Sequence, residues 1–414
     1  MWKILFEEFW GDLKVQKTRA FLTIFAMVWG TISVVLLLAF GEGLRRNVTD
    51  GLLNAGERIF MLYGGQTSQE FEGLAKGRRI RLTEDDLALL LKAIPEIEMG
   101  SPSYGRWGVT LEAGENKTTT YMEGVNPDFM FMRRTFPAQG GRFLNWRDME
   151  QQRRVLFLGD AIAERLFGDT NPVGQTVELD GLPYTVIGVM QKKFQDSSNN
   201  GPDEDRAIIP ASTFRTVYGH RWVGHLIVRP RDVMEAAHVK NQLYQVLGRR
   251  YKFDPEDERA LAMWDFIEDE KLTRAIGLGI QVFLGMVGGF TLLVAGVGVA
   301  NIMYVVVRER TREIGVKLAV GARKRHIMSQ FIFEALLIAV GGGLIGLAFS
   351  TAVVLGVDSL PYDNEAMQYI LNPKLSWPIA SLCLAILISI GLLAGILPAR
   401  KAARLDPVDS LRYE

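Results

Sequence analysis

Residues 308–335, RERTREIGVKLAVGARKRHIMSQFIFEA, lie between two long apolar runs. Positions 308–326 hold seven basic and two acidic side chains: Arg308, Arg310, Arg312, Lys317, Arg323, Lys324 and Arg325, with Glu309 and Glu313. At helical spacing Arg308 lies one turn from Arg312, and Glu309 one turn from Glu313. Apolar side chains follow at Ile314, Val316, Leu318 and Val320, before the helix-stop residue Gly321. The segment is therefore predicted to be a short charged helix with an apolar edge, able to dock on a soluble partner.

Four windows of the chain carry no charged residue and are long enough to cross a membrane: Ala20–Gly41, Ala275–Val307, Ala335–Val357 and Leu375–Ala399. A helix needs about 20 residues to cross a hydrocarbon core of about 30 Å. The chain has 414 residues, of which 48% are hydrophobic, and no formal net charge. It is long enough for four transmembrane helices and a sizeable folded domain in residues 42–274.

Basic residues flank these spans unevenly. The loop between the third and fourth spans has only Lys374 against three acidic residues. Basic side chains instead precede the first span and follow the second and fourth: Lys3, Lys14, Lys17 and Arg19, then the seven of segment 308–326, then Arg400, Lys401, Arg404 and Arg412. Since cytoplasmic loops collect Lys and Arg, both termini and segment 308–326 are predicted to be cytoplasmic. Residues 42–274 then lie outside the inner (plasma) membrane.

Residues 1–19 are predicted to form an amphipathic helix on the cytoplasmic face. Apolar side chains recur among charged ones at helical spacing: Trp2, Leu5, Phe6, Phe9, Trp10 and Leu13. Such a helix lies among lipid headgroups, so membrane lipid is an expected partner. The acidic residues here, and a following apolar run longer than the roughly 7–15 residues of a signal peptide, favour an uncleaved anchor.

Residues 42–274 show the patterns of a mixed α/β domain. One helix is predicted to start with the Thr83–Asp86 capping sequence and another with Asp232 and Glu235. Strand-like alternation occurs in six stretches: 59–63, 118–123, 155–158, 184–190, 207–210 and 226–229. A strand–helix pair near each end indicates one split subdomain with a second inserted in it. The polar run 191–205 is predicted to be a loop of the insertion, either mobile or an ordinary surface loop, and the second interpretation is favoured.

The residues before the second span are predicted to extend its helix outwards. An amphipathic stretch from about Pro255, with Leu261, Trp264, Ile267 and Leu272, continues without proline to Val307. A stalk helix over 256–274, joined to the span, would give about 50 helical residues and a rod of roughly 75 Å. Such a rod can carry motion across the membrane.

No motif for catalysis or cofactor binding is found. Residues 315–323 lack the spacing and the Gly-Lys-Ser/Thr ending of a phosphate-binding loop, so the chain is not expected to bind ATP or Mg itself. The four histidines form neither a HExxH motif nor a cluster, which leaves no metal site. The sole cysteine, Cys383, lies in the fourth span, so the outer domain has no disulfide. The sequence predicts no catalytic residue, no metal and no nucleic-acid partner.

Glycines inside the apolar spans are predicted to be packing sites. Gly341–Gly346 satisfies G-x-G-x-x-G, but it lies in a span without a preceding soluble strand, which argues against a dinucleotide site. Three pairs have the small-xxx-small spacing that lets membrane helices approach closely: Gly285 with Gly289, Gly342 with Gly346, and Gly391 with Gly395. The spans have no charge in their interiors; Glu334, at the inner end of the third, is predicted to pair with the basic segment or lie at the interface.

Segment 309–335 resembles the region between the second and third membrane helices of MacB/FtsX-type ABC transporter permeases. The stretches Gly141–Phe143, Leu156–Asp160, Ala163–Gly168, Asn171–Gly174 and Thr185–Val189 resemble the MacB periplasmic core, and 398–414 resembles the family's C-terminal end. The resemblance implies four transmembrane helices with a large extracytoplasmic α/β domain. That domain would contain a Porter-like βαβ unit at about 57–136 and 211–255, and a Sabre-like insertion at about 137–210.

In that family the segment after the second span contacts the ATPase. The resemblance therefore implies ATPase-coupling residues at Arg308, Glu309, Arg310, Thr311, Arg312, Glu313, Ile314, Gly315 and Lys317. No fused ATPase is found in this sequence, so the expected form is a stand-alone permease with a MacB/LolD-like ATPase subunit that supplies ATP and Mg. A homodimer or paired permease, with a MacA-like periplasmic adaptor and an outer-membrane channel, would complete the assembly.

The expected function is mechanotransmission: ATP-driven closure of the ATPase moves the outer domains, which export an antibiotic, peptide or similar substrate from the periplasm. Two alternatives share this architecture, lipoprotein release of the LolC/E type and FtsX-type control of a cell-wall hydrolase. A third alternative, of another class, is a membrane-anchored ligand sensor without an ATPase.

Overall fold

The computed structural model describes residues 17–193, 195, 199–359, 373–375 and 377–404. The chain divides into two compact units, which we call the membrane unit (Met1–Asn47 with Ala275–Glu414) and the outer unit (Val48–Arg274). Most of the predicted N-terminal amphipathic helix, most of the loop between the third and fourth spans, and the tail from residue 405 onwards lie outside the described residues.

The described helices and strands alternate through the outer unit and give way to long helices in the membrane unit. The helices are α1 (Lys17–Ala55), α2 (Glu84–Ala93), α3 (Phe129–Met132), α4 (Trp146–Glu150), α5 (Asp160–Phe167), α6 (Ala211–Tyr218), α7 (Ala236–Tyr251), α8 (Phe266–Glu309), α9 (Thr311–Ala319), α10 (Lys324–Asp358) and α11 (Trp377–Ala403). The strands are β1 (Phe60–Gly64), β2 (Ile97–Ala113), β3 (Asn116–Val125), β4 (Val155–Leu158), β5 (Thr176–Leu179), β6 (Leu182–Val189), β7 (Arg206–Pro210), β8 (His225–Pro230) and β9 (Leu261–Asp265).

The strands of the outer unit pair in the order β3-β7-β4-β6-β5-β2-β8-β1-β9, and β3 pairs with β2 as well. The additional pairing closes β2, β3, β7, β4, β6 and β5 into a ring. The first half of β2 pairs with β8, so this strand belongs both to the ring and to an open sheet with β8, β1 and β9. Its register shifts between Arg106 and Val109, where Gly108 has a φ of 72°. A bulge of this kind bends a strand, which lets β2 serve both sheets.

The predicted inserted segment does not have a core of its own. Its strands β4 to β7 complete a ring with β2 and β3, which come from the surrounding segment. One buried cluster contains Leu156 and Val186 of the insertion together with Leu90, Val228 and Leu243. Burial of apolar surface is therefore shared between the two predicted subdomains.

All six predicted strands of the outer unit are observed, and both predicted helices are observed. Thr83 and Asp86 form the expected capping box, and the Asp232 carboxylate accepts a hydrogen bond from the Met234 amide before α7. The strands β2, β5 and β9 were not predicted.

The prediction of a stalk helix over 256–274 is wrong for its first part. Residues Leu261–Asp265 form β9, which pairs antiparallel with β1 at five positions. The Asp265 carboxylate accepts hydrogen bonds from the amides of Ile267 and Glu268, so it caps the start of α8 at Phe266. The helix therefore has 44 residues, and at 1.5 Å per residue it is about 66 Å long.

Among the described residues, four helices are long and apolar enough to cross a membrane by length and composition: α1, α8, α10 and α11. The first three predicted windows lie within these helices, and the fourth begins two residues before α11. Their facing sides form a buried cluster that includes Met27 and Val34 of α1, Leu292 and Val299 of α8, Phe331 and Ala335 of α10, and Leu387 and Ile390 of α11.

Candidate coupling site

The segment between the second and third spans forms a short helix that is set off at both ends. The long helix α8 ends at Glu309, and α9 begins at Thr311. Arg310 between them has φ −94° and ψ 13°, so the predicted single helical run through 308–313 is interrupted at this residue. The Thr311 hydroxyl donates to the carbonyl of Arg308, 2.8 Å away. At the other end Gly321 has a φ of 99°, as expected of a helix stop.

One side of α9 faces the membrane unit. Ile314 is 3% exposed and belongs to the same buried cluster as Ile327 and Phe331 of α10. Gly315 is buried beside it. The burial of an isoleucine side chain contributes about 1.5–3 kcal/mol to this docking. Ile314 and Gly315 are therefore internal and do not form part of an accessible surface.

Arg310 also faces inwards. Its Nη1 lies 3.1 Å from Oε1 of Glu334 on α10, and the Glu334 side chain is 6% exposed. Gln330, one turn earlier on α10, donates from Nε2 to the same carboxylate oxygen at 3.4 Å. The predicted pairing of Glu334 with the basic segment is confirmed.

The opposite side of α9 is open to solvent. Arg312 and Glu313 of α9 are exposed, as are Arg308 and Glu309 at the end of α8, and Lys317 pairs with Glu313 at 2.9 Å. Two apolar side chains lie beside these charges, Val316 with 47% of its surface exposed and Val320 with 85%. Such a mixture of alternating charges and exposed valines is what a protein partner can bind, because it offers both hydrogen bonds and apolar area. We call this surface the α9 face.

The predicted glycine pairs behave differently from one another. A Cβ placed on Gly342 or Gly346 would lie 2.8 Å from the Cβ of Met27 or 2.7 Å from that of Thr31, so α10 packs closely on α1 at these glycines. Likewise, a Cβ placed on Gly391 of α11 would lie 2.6 Å from the Cβ of Ala339 of α10, and one placed on Gly395 would lie 2.8 Å from that of Ala335.

The pair Gly285 and Gly289 does not form such a contact. Among the described residues nothing lies within 4 Å of a Cβ placed at either position. The contact on this helix is made one residue from the predicted pair, where Gly288 meets Val34 at 3.1 Å. The prediction is corrected because the rotation of α8, which spacing alone does not determine, turns Gly288 towards α1.

A buried charge cluster in the outer unit was not predicted. Asp203 pairs with Arg133 at 2.8 Å, with Lys193 at 2.7 Å and with Arg206 at 3.3 Å, and Arg206 also pairs with Glu123. Burial lowers the pKa of Lys193 to about 8. Burial alone would raise the pKa of Asp203, but Arg133, Lys193 and Arg206 together hold it well below its ordinary value.

These pairs hold both ends of the polar run 191–205. The Lys193 ammonium also donates to the carbonyls of Asn54 and Arg133, at 2.8 and 2.7 Å, and Arg206 donates to the carbonyls of Asn199 and Gly201. The prediction of an ordinary surface loop is therefore wrong for these described residues. In the sequence, Lys193 and Asp203 lie near the two ends of the run and have opposite charges. Their spacing does not indicate that the two side chains meet.

No group of three or more His, Cys, Asp or Glu side chains in the described part of the chain is arranged to hold a metal ion. A groove of about 950 Å³ in the outer unit lies between α7 and the edge strand β9 and is lined mainly by polar side chains.

Comparison with known proteins assigns the family. Residues 20–246 match the MacB-like periplasmic core domain, and residues 285–407 match the FtsX-like permease C-terminal domain. The chain therefore belongs to the family of MacB/FtsX-like permeases. It is a membrane protein with a large periplasmic-type domain of mixed α/β fold.

Individual relatives match over almost the whole chain. The macrolide export ATP-binding/permease protein MacB of Wolinella succinogenes is 31% identical over 406 residues, which are 97% of this chain and 60% of that protein. MacB of Azoarcus sp. is 33% identical over 409 residues, 97% and 58% of the two chains. The pyoverdine export ATP-binding/permease protein PvdT of Pseudomonas putida is 31% identical over 412 residues, 98% and 59%. The chain thus spans about three fifths of the length of these relatives.

Among solved structures, the periplasmic region of MacB from Actinobacillus actinomycetemcomitans is 19% identical, with a TM-score of 0.43 over 54% of this chain and 96% of that one. The extracellular domain of the transporter YknZ from Gram-positive bacteria is 20% identical, with a TM-score of 0.41 over 50% of this chain and 99% of that one.

Proposed function

We propose that this chain is the permease subunit of an ABC transporter and works by mechanotransmission. A P-loop ATPase outside these 414 residues binds ATP and Mg and docks on the α9 face. The observation that carries the proposal is the α9 face itself, an exposed set of charges and valines at the end of a 44-residue helix whose first residues belong to the outer unit.

The route of the force follows from helix geometry. A helix with an unbroken hydrogen-bond ladder resists bending and stretching, so a displacement at Glu309 is carried along α8 towards its first turn. That turn is tied to the sheet, because Asp265 both ends β9 and caps α8. Closure of the ATPase would in this way change the conformation of the outer unit. Two permease chains, as a homodimer or a pair, would respond together.

The membership of the family and the names of its relatives support export as the outcome. The relatives carry the names of macrolide and pyoverdine exporters that combine ATP-binding and permease parts. We propose a substrate of comparable kind, an antibiotic, a peptide or a similar molecule taken up on the periplasmic side. Both termini and the α9 face would be cytoplasmic, and a periplasmic adaptor with an outer-membrane channel would receive the substrate.

The test begins with purification of the tagged full-length chain from its native membranes. We expect a P-loop ATPase to copurify, and its ATP turnover in lipid nanodiscs to depend on the permease. Arg312→Glu reverses a charge on the α9 face and should remove both copurification and permease-dependent turnover. The matched control is Arg147→Glu, which reverses an exposed charge on α4 of the outer unit and should leave both unchanged. The proposal would be contradicted if no ATPase copurified with the wild-type chain, or if ATP turnover were unchanged in Arg312→Glu.

A further inference from the structure

The basic residues of segment 308–317 divide into two kinds according to where their side chains lie. Arg308 and Arg312 are exposed, whereas the Arg310 side chain is 15% exposed and its guanidinium contacts Glu334. Arg310 is two residues from Arg308 and two from Arg312, and in a helix this spacing places it about 200° from both, on the side that meets α10. A partner that binds the α9 face therefore has direct access to Arg312, whereas Arg310 is engaged within the membrane unit.

Glu334 is itself held in a closely packed part of the membrane unit. The next residue, Ala335, is fully buried. A Cβ placed on Gly395 of α11 would lie 2.8 Å from the Cβ of Ala335, so α11 packs closely on α10 at this point. One turn earlier, Phe331 is 1% exposed in the same cluster as Ile314 of α9. Ile327, Phe331 and Glu334 follow one another at helical spacing, so one side of α10 presents two apolar side chains and one carboxylate.

The pair is costly to break because both charges are largely removed from water. Removal of one partner from a buried ion pair leaves the other charge uncompensated, which is far less favourable than removal of both. The pair therefore favours the relative position of the Arg310 turn and α10 in which the guanidinium meets the carboxylate. A purely apolar contact at Ile314 would permit sliding, since dispersion and burial do not depend on direction.

We infer that Arg310 and Glu334 are positioning residues that connect the α9 face to the third span. Force applied to α9 is then delivered to α10, and to α11 packed against it, as well as to α8 which precedes it in the chain. Without the pair, the ATPase would still dock on the α9 face but would move it without moving α10. This inference rests on the proposed function, because it concerns how docking is converted into movement.

The decisive variant is Arg310→Gln combined with Glu334→Gln, which removes both charges and leaves groups that can hydrogen-bond to each other. We expect this chain to fold and to copurify with the ATPase, while permease-dependent ATP turnover in nanodiscs falls about tenfold, within the usual range of coupling between sites. Retention of wild-type turnover would overturn the inference. A loss of copurification together with turnover would also overturn it, since it would place Arg310 in the docking surface.

A charge exchange gives a second, independent measurement. Arg310→Glu alone and Glu334→Arg alone should each remove coupling, and the double variant Arg310→Glu with Glu334→Arg should recover at least about half of the wild-type turnover. The matched control combines Arg325→Glu with Glu334→Arg, where no recovery is expected because Arg325 is exposed and lies outside the α9 face. Equal recovery in both double variants, or none in the first when it folds and docks normally, would contradict a direct pair.

A comparison with the wild-type chain distinguishes the proposed function from the role of Arg310 and Glu334. Turnover that does not respond to the wild-type permease would contradict the proposed function. Turnover that responds to the wild type and equally to the double Gln variant would leave the proposed function intact and remove only the role of Arg310 and Glu334.

Discussion

The two units of the molecule bury charge very differently. Among the described residues, the outer unit buries eight aspartate, glutamate or arginine side chains: Asp86, Glu123, Arg133, Asp148, Asp203, Arg206, Arg229 and Asp257. The described part of the membrane unit buries two, Glu42 and Glu334, and both pair with arginines at the ends of helical spans. Between those ends its helices approach through glycines instead.

The difference follows from the two solvents. In an aqueous compartment the chain can bury a charge if several partners replace the lost water, as Arg133, Lys193 and Arg206 do around Asp203. Inside a bilayer no water is available to share the cost, so close contact between backbones is the main source of stability. A buried charge in the membrane unit therefore marks a place with a particular task. In the outer unit it is part of the core.

The largest effect is expected at the centre of the outer cluster. Asp203→Ala leaves three buried cations without their common partner and should lower the free energy of unfolding of the outer unit by about 3–5 kcal/mol. Urea unfolding of the purified full-length chain, followed by tryptophan fluorescence, measures this loss. The control Lys117→Ala breaks a pair with Glu112 in which both side chains are exposed, and it should cost less than about 1 kcal/mol. A similar loss of unfolding free energy in the two variants would contradict a special role of the buried charges in the stability of the outer unit.

Lys193 gives the same cluster a pH dependence. Its folded pKa of about 8 lies below the value of 10.5 of a free lysine, so between these values the unfolded chain binds more protons than the folded one. Stability contributed by this residue must then rise as the pH rises from about 7 to 10. Urea unfolding at several pH values should show that the wild type gains relative to Lys193→Met over this interval, by a few kcal/mol at most. A constant difference between the two chains would contradict burial of the charged ammonium.

The membrane unit should respond to added volume where the outer unit responds to lost charge. In Gly346→Ala the new methyl would lie 2.7 Å from the Cβ of Thr31 and 2.9 Å from a backbone oxygen of Val28, so we expect a loss of about 1–3 kcal/mol. The matched control is Gly285→Ala, where a methyl meets open space in the described structure. Thermal unfolding in detergent compares them. A greater loss of stability in Gly285→Ala than in Gly346→Ala would contradict the open space at Gly285.

Much of this architecture follows from the sequence because its signals are local. The uncharged windows fix the four spans, and the capping sequence at Thr83–Asp86 fixes the start of α2. The longest strand, β2, was not predicted because Gly100, Pro102, Gly105 and Gly108 interrupt its alternation. Its conformation is imposed by β3, which follows it directly in a hairpin, and by β8, which is distant in the chain.

The candidate site was predictable as a segment but not residue by residue. Helical spacing separates Arg310 from Arg308 and Arg312, but only the contact with Glu334 of α10 shows which of the two sides is buried. The same holds for Gly285, Gly288 and Gly289, since several registers of glycine spacing coexist on α8 and the packing of α1 selects one. Long-range contacts decide such cases, and local patterns do not contain them.

The outer sheet is joined to α8 at β9 without an intervening linker. Strand and helix are consecutive, and one carboxylate, that of Asp265, belongs to both. A linker of even a few residues would absorb a small displacement by changing its own dihedral angles. In the mechanism that we propose, a pull along the helix axis would therefore act directly on the five-residue ladder between β9 and β1 at the edge of the sheet.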